Sequence, residues 1–243
     1  MSLDTFVKKK EHVFVQSDLL KAIGKPDCGG ICLSLSMHWA HACARGAHPA
    51  VAVEALKDKK LFTSIASMHE DYSSGKANAA GDPNDFQDPA TFMTISNWFQ
   101  KKGEKKLLFM ECGYYDGTKE RVARGEFAGL RPGIRRDLLS RAFNVVPKVF
   151  VIAFNLKEGR MGIAGAHAIG LYLRKPSAES ASILPGGVFD PAFGLHGIFD
   201  PNFGWMEFTG SGFADIDLSV ILGEFVSEYG IYNATANQIW LPA

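Results

Sequence analysis

Apolar residues change their spacing midway along the chain: three- and four-residue steps dominate the first half, and short, nearly unbroken runs dominate the second. From Ile31 to about Arg45, the residues Cys32, Leu35, Ser36, Trp39 and Cys43 fall on one face at helical spacing, which predicts a helix with a buried stripe. Residues 50–70 and about 90–101 read as two further helices. Between them, Asp71–Ala90 is rich in Ser, Gly, Asn, Asp and Pro and reads as a surface loop. Leu107–Glu111 is a short strand candidate, Gly113–Gly133 is loop-like with basic residues, and Arg135–Arg141 reads as helix.

The second half carries Lys148–Phe154 (KVFVIAF), His167–Leu173 (HAIGLYL) and Trp205–Phe208, each β-rich and bounded by Gly or Pro. Phe213–Tyr229 returns to helical spacing through Ile216, Val220, Ile221 and Phe225, and Asn237–Leu241 is a closing strand candidate. Helices followed by strands predict an α+β fold: an N-terminal helical lobe packed on one antiparallel sheet, with a site between the two. Gly24-Lys25-Pro26-Asp27 punctuates the chain strongly, so residues 1–27 are assigned to an N-terminal extension and 28–243 to the folded domain.

Composition narrows the function classes. The 243 residues hold 47% apolar residues, enough for a core without disulfide staples. Lys plus Arg and Asp plus Glu both number 26, giving zero formal charge, which argues against a nucleic-acid binder or an anionic-membrane ligand. Four cysteines, three of them within Cys28–Cys43, are too few for a secreted disulfide scaffold and read as thiols. No window offers about 18 unbroken apolar residues, so no integral membrane segment is expected. Met1–Lys10 is polar and basic with no apolar core behind it, unlike a conventional secretion signal. Composition leaves the oligomeric state open.

Three elements carry chemistry. Cys32 falls in the first turn of its helix, behind Gly29-Gly30, where the helix dipole and unpaired amides favour thiolate over thiol. Its own N–H is placed to stabilise a developing oxyanion; the plain alternative is an inert core cysteine. His167 opens an apolar strand between Ala166 and Ala168, small neighbours that leave room for a second group at its ring, although a core histidine with satisfied hydrogen bonds has the same signature. A duplication supplies the third element: Phe189-Asp190-Pro191-Ala192-Phe193-Gly194 and Phe199-Asp200-Pro201-Asn202-Phe203-Gly204. An Asp before Pro is held out of the helical region, and beside a strand its carboxylate can accept a hydrogen bond from a neighbouring imidazole. Most Asp-Pro pairs merely form turns. Asp190 is nearer His167 in the chain, but Gly194-Leu195-His196-Gly197 after it reads as a turn. Asp200 leads directly into Trp205–Phe208, expected to lie beside the His167 strand, and is therefore preferred.

Cys, His and Asp in that order, the cysteine on an N-terminal helix and the others on later strands, is the arrangement of papain-like cysteine proteases. More particularly, Gly30-Ile31-Cys32-Leu33-Ser34-Leu35-Ser36-Met37-His38-Trp39 resembles the nucleophile motif of the YopT-type effector cysteine proteases. Ala166-His167-Ala168-Ile169 and Asp200-Pro201-Asn202-Phe203-Gly204 are similar to that family's histidine and aspartate segments. The resemblance implies a papain-like fold and a cofactor-free thiol mechanism on protein or peptide substrates. It assigns Cys32 as nucleophile, His167 as base and then acid, and Asp200 as the residue orienting the imidazole. It also implies secretion into a host cell by a route without a conventional signal; otherwise the protein is expected in the cytoplasm. The chain departs from the family in a longer His167–Asp200 gap, filled by Lys175–Gly197, and in carrying Asp27 and Cys28 where the family places an oxyanion-supporting amide.

Rival readings use the same residues. Amidase or transglutaminase chemistry needs the same triad, and a non-catalytic papain-like binding module needs only the fold. A metal site on Cys28, Cys32, His38, His41 or Cys43 has soft ligands but lacks the paired C-x2-C spacing of structural zinc sites. Gly159–Gly165 lacks the Lys-Ser/Thr ending of a phosphate loop.

Overall fold

The computed structural model describes residues 12–28, 31–73, 89–116, 148–156, 165–173, 196–208 and 231–242. Among these are five helices, α1 (Gln16–Ala22), α2 (Cys32–Ala44), α3 (Pro49–Leu56), α4 (Lys59–Ser73) and α5 (Pro89–Lys101), and six strands. The strands are β1 (Leu108–Asp116), β2 (Lys148–Leu156), β3 (Gly165–Leu173), β4 (His196–Asp200), β5 (Gly204–Phe208) and β6 (Ile231–Trp240). They form one sheet in the order β1-β6-β2-β3-β4-β5, with every neighbouring pair antiparallel. The fold is α+β, as the change in spacing predicts.

Helix α2 is the hub. Every side chain from Cys32 to His41 is buried, so the expected stripe is in fact a helix enclosed on all sides, against β2 and β3 below and α3 and α4 around it. Small and apolar residues make this possible, since Ala40, Cys43 and the two serines leave room for neighbouring elements to approach. Strand β2 is buried nearly end to end, which is why its sequence is a continuous apolar run rather than an alternation.

Several elements differ from the sequence expectation. The single helix over 50–70 is two, because Asp58 accepts the N–H of Leu61 at 2.8 Å and so starts a new helix one residue later. Helix α3 before it opens on Pro49, with the His48 side chain accepting the Ala50 N–H. Strand β1 runs on to Asp116, past a register shift between Glu111 and Gly113, so residues 113–116 are strand rather than loop. Strand β6 begins at Ile231, earlier than the Asn237–Leu241 candidate. His196 and Gly197, expected in a turn, are the first residues of β4, where Gly197 fits against Trp205 so closely that a Cβ would lie 2.4 Å from its ring. The helices expected at 135–141 and 213–229 lie outside the described residues, as does most of the 71–90 loop.

Residues 12–27, read from the sequence as part of an N-terminal extension, supply Phe14 and Leu20 to the same core. His12 bridges Trp205 on β5, the Phe14 N–H donates to the Phe203 carbonyl at 3.4 Å, and the Gln16 N–H donates to the Pro201 carbonyl at 2.9 Å. Phe14 is buried against Phe199, edge to face at 5.6 Å, and Leu20 of α1 is buried as well. This strap crosses the β4–β5 turn at Gly204, whose φ of +104° and missing Cβ both matter: a Cβ there would lie 2.0 Å from the His12 carbonyl oxygen.

Candidate active site

Helix α2 and strand β3 run alongside each other in step. Four helical residues rise about 6 Å and two strand residues about 6.6 Å, so contacts at matched intervals persist along both. Cys32 Sγ lies 4.0 Å from the Ala166 carbonyl oxygen, Ser36 Oγ donates to the Ala168 carbonyl at 3.1 Å, and Trp39 lies over Gly170. A Cβ at Gly170 would meet the Trp39 ring at 2.3 Å, so glycine is what lets the helix sit this close. Trp39 in turn stacks on Phe199 of β4 at 5.6 Å and donates its indole N–H to the Pro49 carbonyl. The N-terminus of α2 is thereby fixed over the start of β3, where His167 stands.

His167 and Asp200 are both buried, at 4% and 0% exposure. Their strands pair up to Gly170 opposite Phe199, and continuing that register brings Asp200 to within two residues of His167 on the same face. His167 Nε2 and Asp200 Oδ1 are 3.1 Å apart, within reach of a charge-assisted hydrogen bond. The same Oδ1 accepts the N–H of Asn202 at 2.8 Å, the local bond that an Asp-Pro-Asn turn favours. On its other side the imidazole hydrogen-bonds the Cys32 side chain, and Phe154, its partner across β2, meets it edge to face at 5.4 Å. With Nε2 engaged by the carboxylate, Nδ1 is the nitrogen left for the sulfur. Burial pulls the imidazole pKa down, but the Asp200 carboxylate and the Cys32 sulfur outweigh it and raise it to about 10.

The other cysteines and histidines behave differently. Burial raises the pKa of Cys28, helped by Glu70, and raises that of Cys43 further. His38 is buried beside Trp98 and Phe99 of α5, its Nε2 without a hydrogen-bond partner among the described residues, and burial with the neighbouring His41 lowers its pKa to about 3. His41 stacks on Phe99 at 4.3 Å and has its Nε2 3.2 Å from the Lys105 carbonyl oxygen. The residues considered for a metal site are thus not gathered: among the described residues no three His, Cys, Asp or Glu side chains form a ligand cluster. Asp27 is exposed. Gly29, Gly30 and Asp190 lie outside the described residues.

The structure brings together Cys32, His167 and Asp200 and corrects how the last arrives. The strand beside β3 is β4, which ends at Asp200; β5, expected in that place, lies one strand further out. A five-residue strand containing a glycine is a weak signal, and the three-residue turn after Asp200 hides the hairpin. Ser36, Phe154 and Asn202, which fix the helix, the imidazole and the carboxylate, have no sequence signal for these roles beyond the Asx-turn potential of Asp200-Pro201-Asn202.

No family model matches the chain, and no curated protein does. Among solved structures it is similar to the Pseudomonas avirulence protein AvrPphB, with a TM-score of 0.45 and 12% identity over 99% of this chain and 100% of that one. It is also similar to the ubiquitin-specific protease encoded by murine cytomegalovirus tegument protein M48, solved with a ubiquitin-based suicide substrate. That likeness has a TM-score of 0.44 and 14% identity, covering 94% of this chain and 84% of the viral one. Likenesses this shallow say nothing about activity. The site has to carry that reading.

Proposed function

We propose that the protein is a papain-like cysteine peptidase acting on protein or peptide substrates through Cys32, His167 and Asp200. The observation that carries the reading is His167 held between a thiol at a helix N-terminus and a buried carboxylate. In the reaction, the Cys32 sulfur attacks the scissile carbonyl carbon and its proton resides on His167, giving an imidazolium stabilised by Asp200. The carbonyl electron pair moves to oxygen, where the Cys32 N–H and the positive end of α2 stabilise it. As that oxyanion collapses, the C–N bond breaks and Nδ1 passes its proton to the departing amine. Water then enters, gives a proton back to Nδ1 and attacks the thioester, and the carboxylic acid leaves as the sulfur recovers its proton. No cofactor is required, and no helix among the described residues is long and apolar enough to cross a membrane.

The test pairs a proteome-derived peptide library with thiol labelling. Wild type should generate new peptide termini that Cys32→Ala does not, and iodoacetamide at pH 6 should modify Cys32 well before Cys28 or Cys43, whose thiols burial holds protonated. Absence of new termini together with equal labelling of the three would overturn the reading.

A further inference from the structure

Resting on that reading, we propose that Gln16 and Asn202 are positioning residues: an amide pair through which the N-terminal strap holds the Asp200 turn against His167. Gln16 Nε2 donates to Asn202 Oδ1 at 2.7 Å, a contact across 186 residues of chain. The Asn202 N–H donates to Asp200 Oδ1, the oxygen that faces His167 Nε2. The other polar contacts of the strap with that turn, from the Gln16 and Phe14 amides, reach the Pro201 and Phe203 carbonyls. The Pro201 carbonyl and the Asn202 N–H share one planar peptide unit, so the Gln16 backbone N–H sets the direction of that N–H, and the side-chain pair ties the side chain of residue 202 to the same strap residue.

A three-residue turn needs such help. Asp200 and Gly204 pair across the hairpin, and the Phe203 N–H bonds the Asp200 carbonyl at 3.0 Å; neither contact orients the amide plane of Asn202 at the tip. Gln16 Oε1 is itself buried, with no hydrogen-bond partner among the described residues. That orphaned acceptor has a cost, and the bond made by the other end of the amide is what offsets it. The strap is therefore part of the site although it touches none of the three reacting residues through this pair except by way of the turn.

The test is a double-mutant cycle on the full chain, read by the NMR titration of His167 and by the pH profile of Cys32 alkylation, neither of which requires a known substrate. Gln16→Leu keeps the volume and removes the donor; Asn202→Ala removes the acceptor at a half-buried turn tip and leaves the backbone N–H in place. Each should lower the His167 pKa by about one unit and slow Cys32 alkylation at pH 6 about tenfold, with the double variant no worse than either single one. Unchanged titration in Asn202→Ala, or effects that multiply in the double variant, would overturn the proposal. If the titration moves but no peptide is ever cleaved, the positioning pair stands and the peptidase reading falls. Cleavage with an unmoved titration leaves the peptidase reading standing and overturns the positioning pair.

Discussion

His167 and His38 are both shut away from solvent, yet the structure drives them in opposite directions. His167 lies between a carboxylate and a thiol and is pushed up to about 10; His38 lies among aromatic rings with an idle Nε2 and is pushed down to about 3. Burial penalises the charged form equally in kind at both places. The Asp200 carboxylate, together with the Cys32 sulfur, therefore tips an enclosed imidazole toward its protonated form. Two positions along α2 differ accordingly: beside its N-terminus the His167 imidazole is favoured in its charged form, while at mid-helix His38, against the aromatic rings of α5, is held uncharged.

The sharpest way to break this contrast is to neutralise Asp200. Asp200→Asn should turn the His167 surroundings into something like those of His38, dropping its pKa below the ordinary imidazole range. Peptide cleavage should fall by about three to four orders of magnitude, as loss of the orienting carboxylate does in other triads. NMR titration and turnover measured on the same sample check both halves. Retained turnover with a neutral His167 would show that the carboxylate is not what matters.

Stability against pH separates the two histidines in a second way. His167 has a folded pKa above its unfolded value, so its contribution is complete below about pH 6.5 and is lost as pH rises through about 10. His38 has a depressed folded pKa, so the unfolded chain binds a proton that the folded chain refuses, and stability falls as pH drops from about 6.5 towards 3. Each limb is worth a few kcal/mol at most. In denaturant titrations from pH 4 to 10, His38→Phe should flatten the acid limb alone, while His167→Gln should flatten the alkaline limb alone.

The smallest expected effect tests the step shared by helix and strand. Gly170→Ala puts a methyl group into the Trp39 ring and should cost about 1–3 kcal/mol as α2 is pushed off β3. Because Cys32 rides on the same helix, its alkylation rate should change with stability. An unchanged melting temperature would mean that Trp39 can turn aside freely.

How much of this is visible in the sequence depends on how local each signal is. The β2 run KVFVIAF and the helical spacing from Cys32 to Cys43 carry their own evidence, because burial on a strand or helix writes itself into neighbouring residues. Cys32 and His167 stand out through their immediate frames, Gly-Gly before one and small residues around the other. Asp200 stands out through Asp-Pro, although the short β4 is hidden and β5 is expected in its place beside β3. Gln16 cannot be read at all: its partner is Asn202, and only the folded hairpin brings the two together. The idle Nε2 of His38 is invisible for the same reason, since Trp98 and Phe99 reach it from another helix.

The place of β6 bears on the chain's birth. That strand, built from Ile231–Trp240, lies between β1 and β2 in the sheet order. On the ribosome, Cys32, His167 and Asp200 are all made before it, but β1 waits for its neighbour in the sheet and β2 for one of its two until residue 240 emerges. Long-range pairing of this kind is slow to close, so the sheet that backs the site is completed only after its reactive residues have long been synthesised. Of the described strands, the one that joins β1 to β2 behind the thiol is the last to be made.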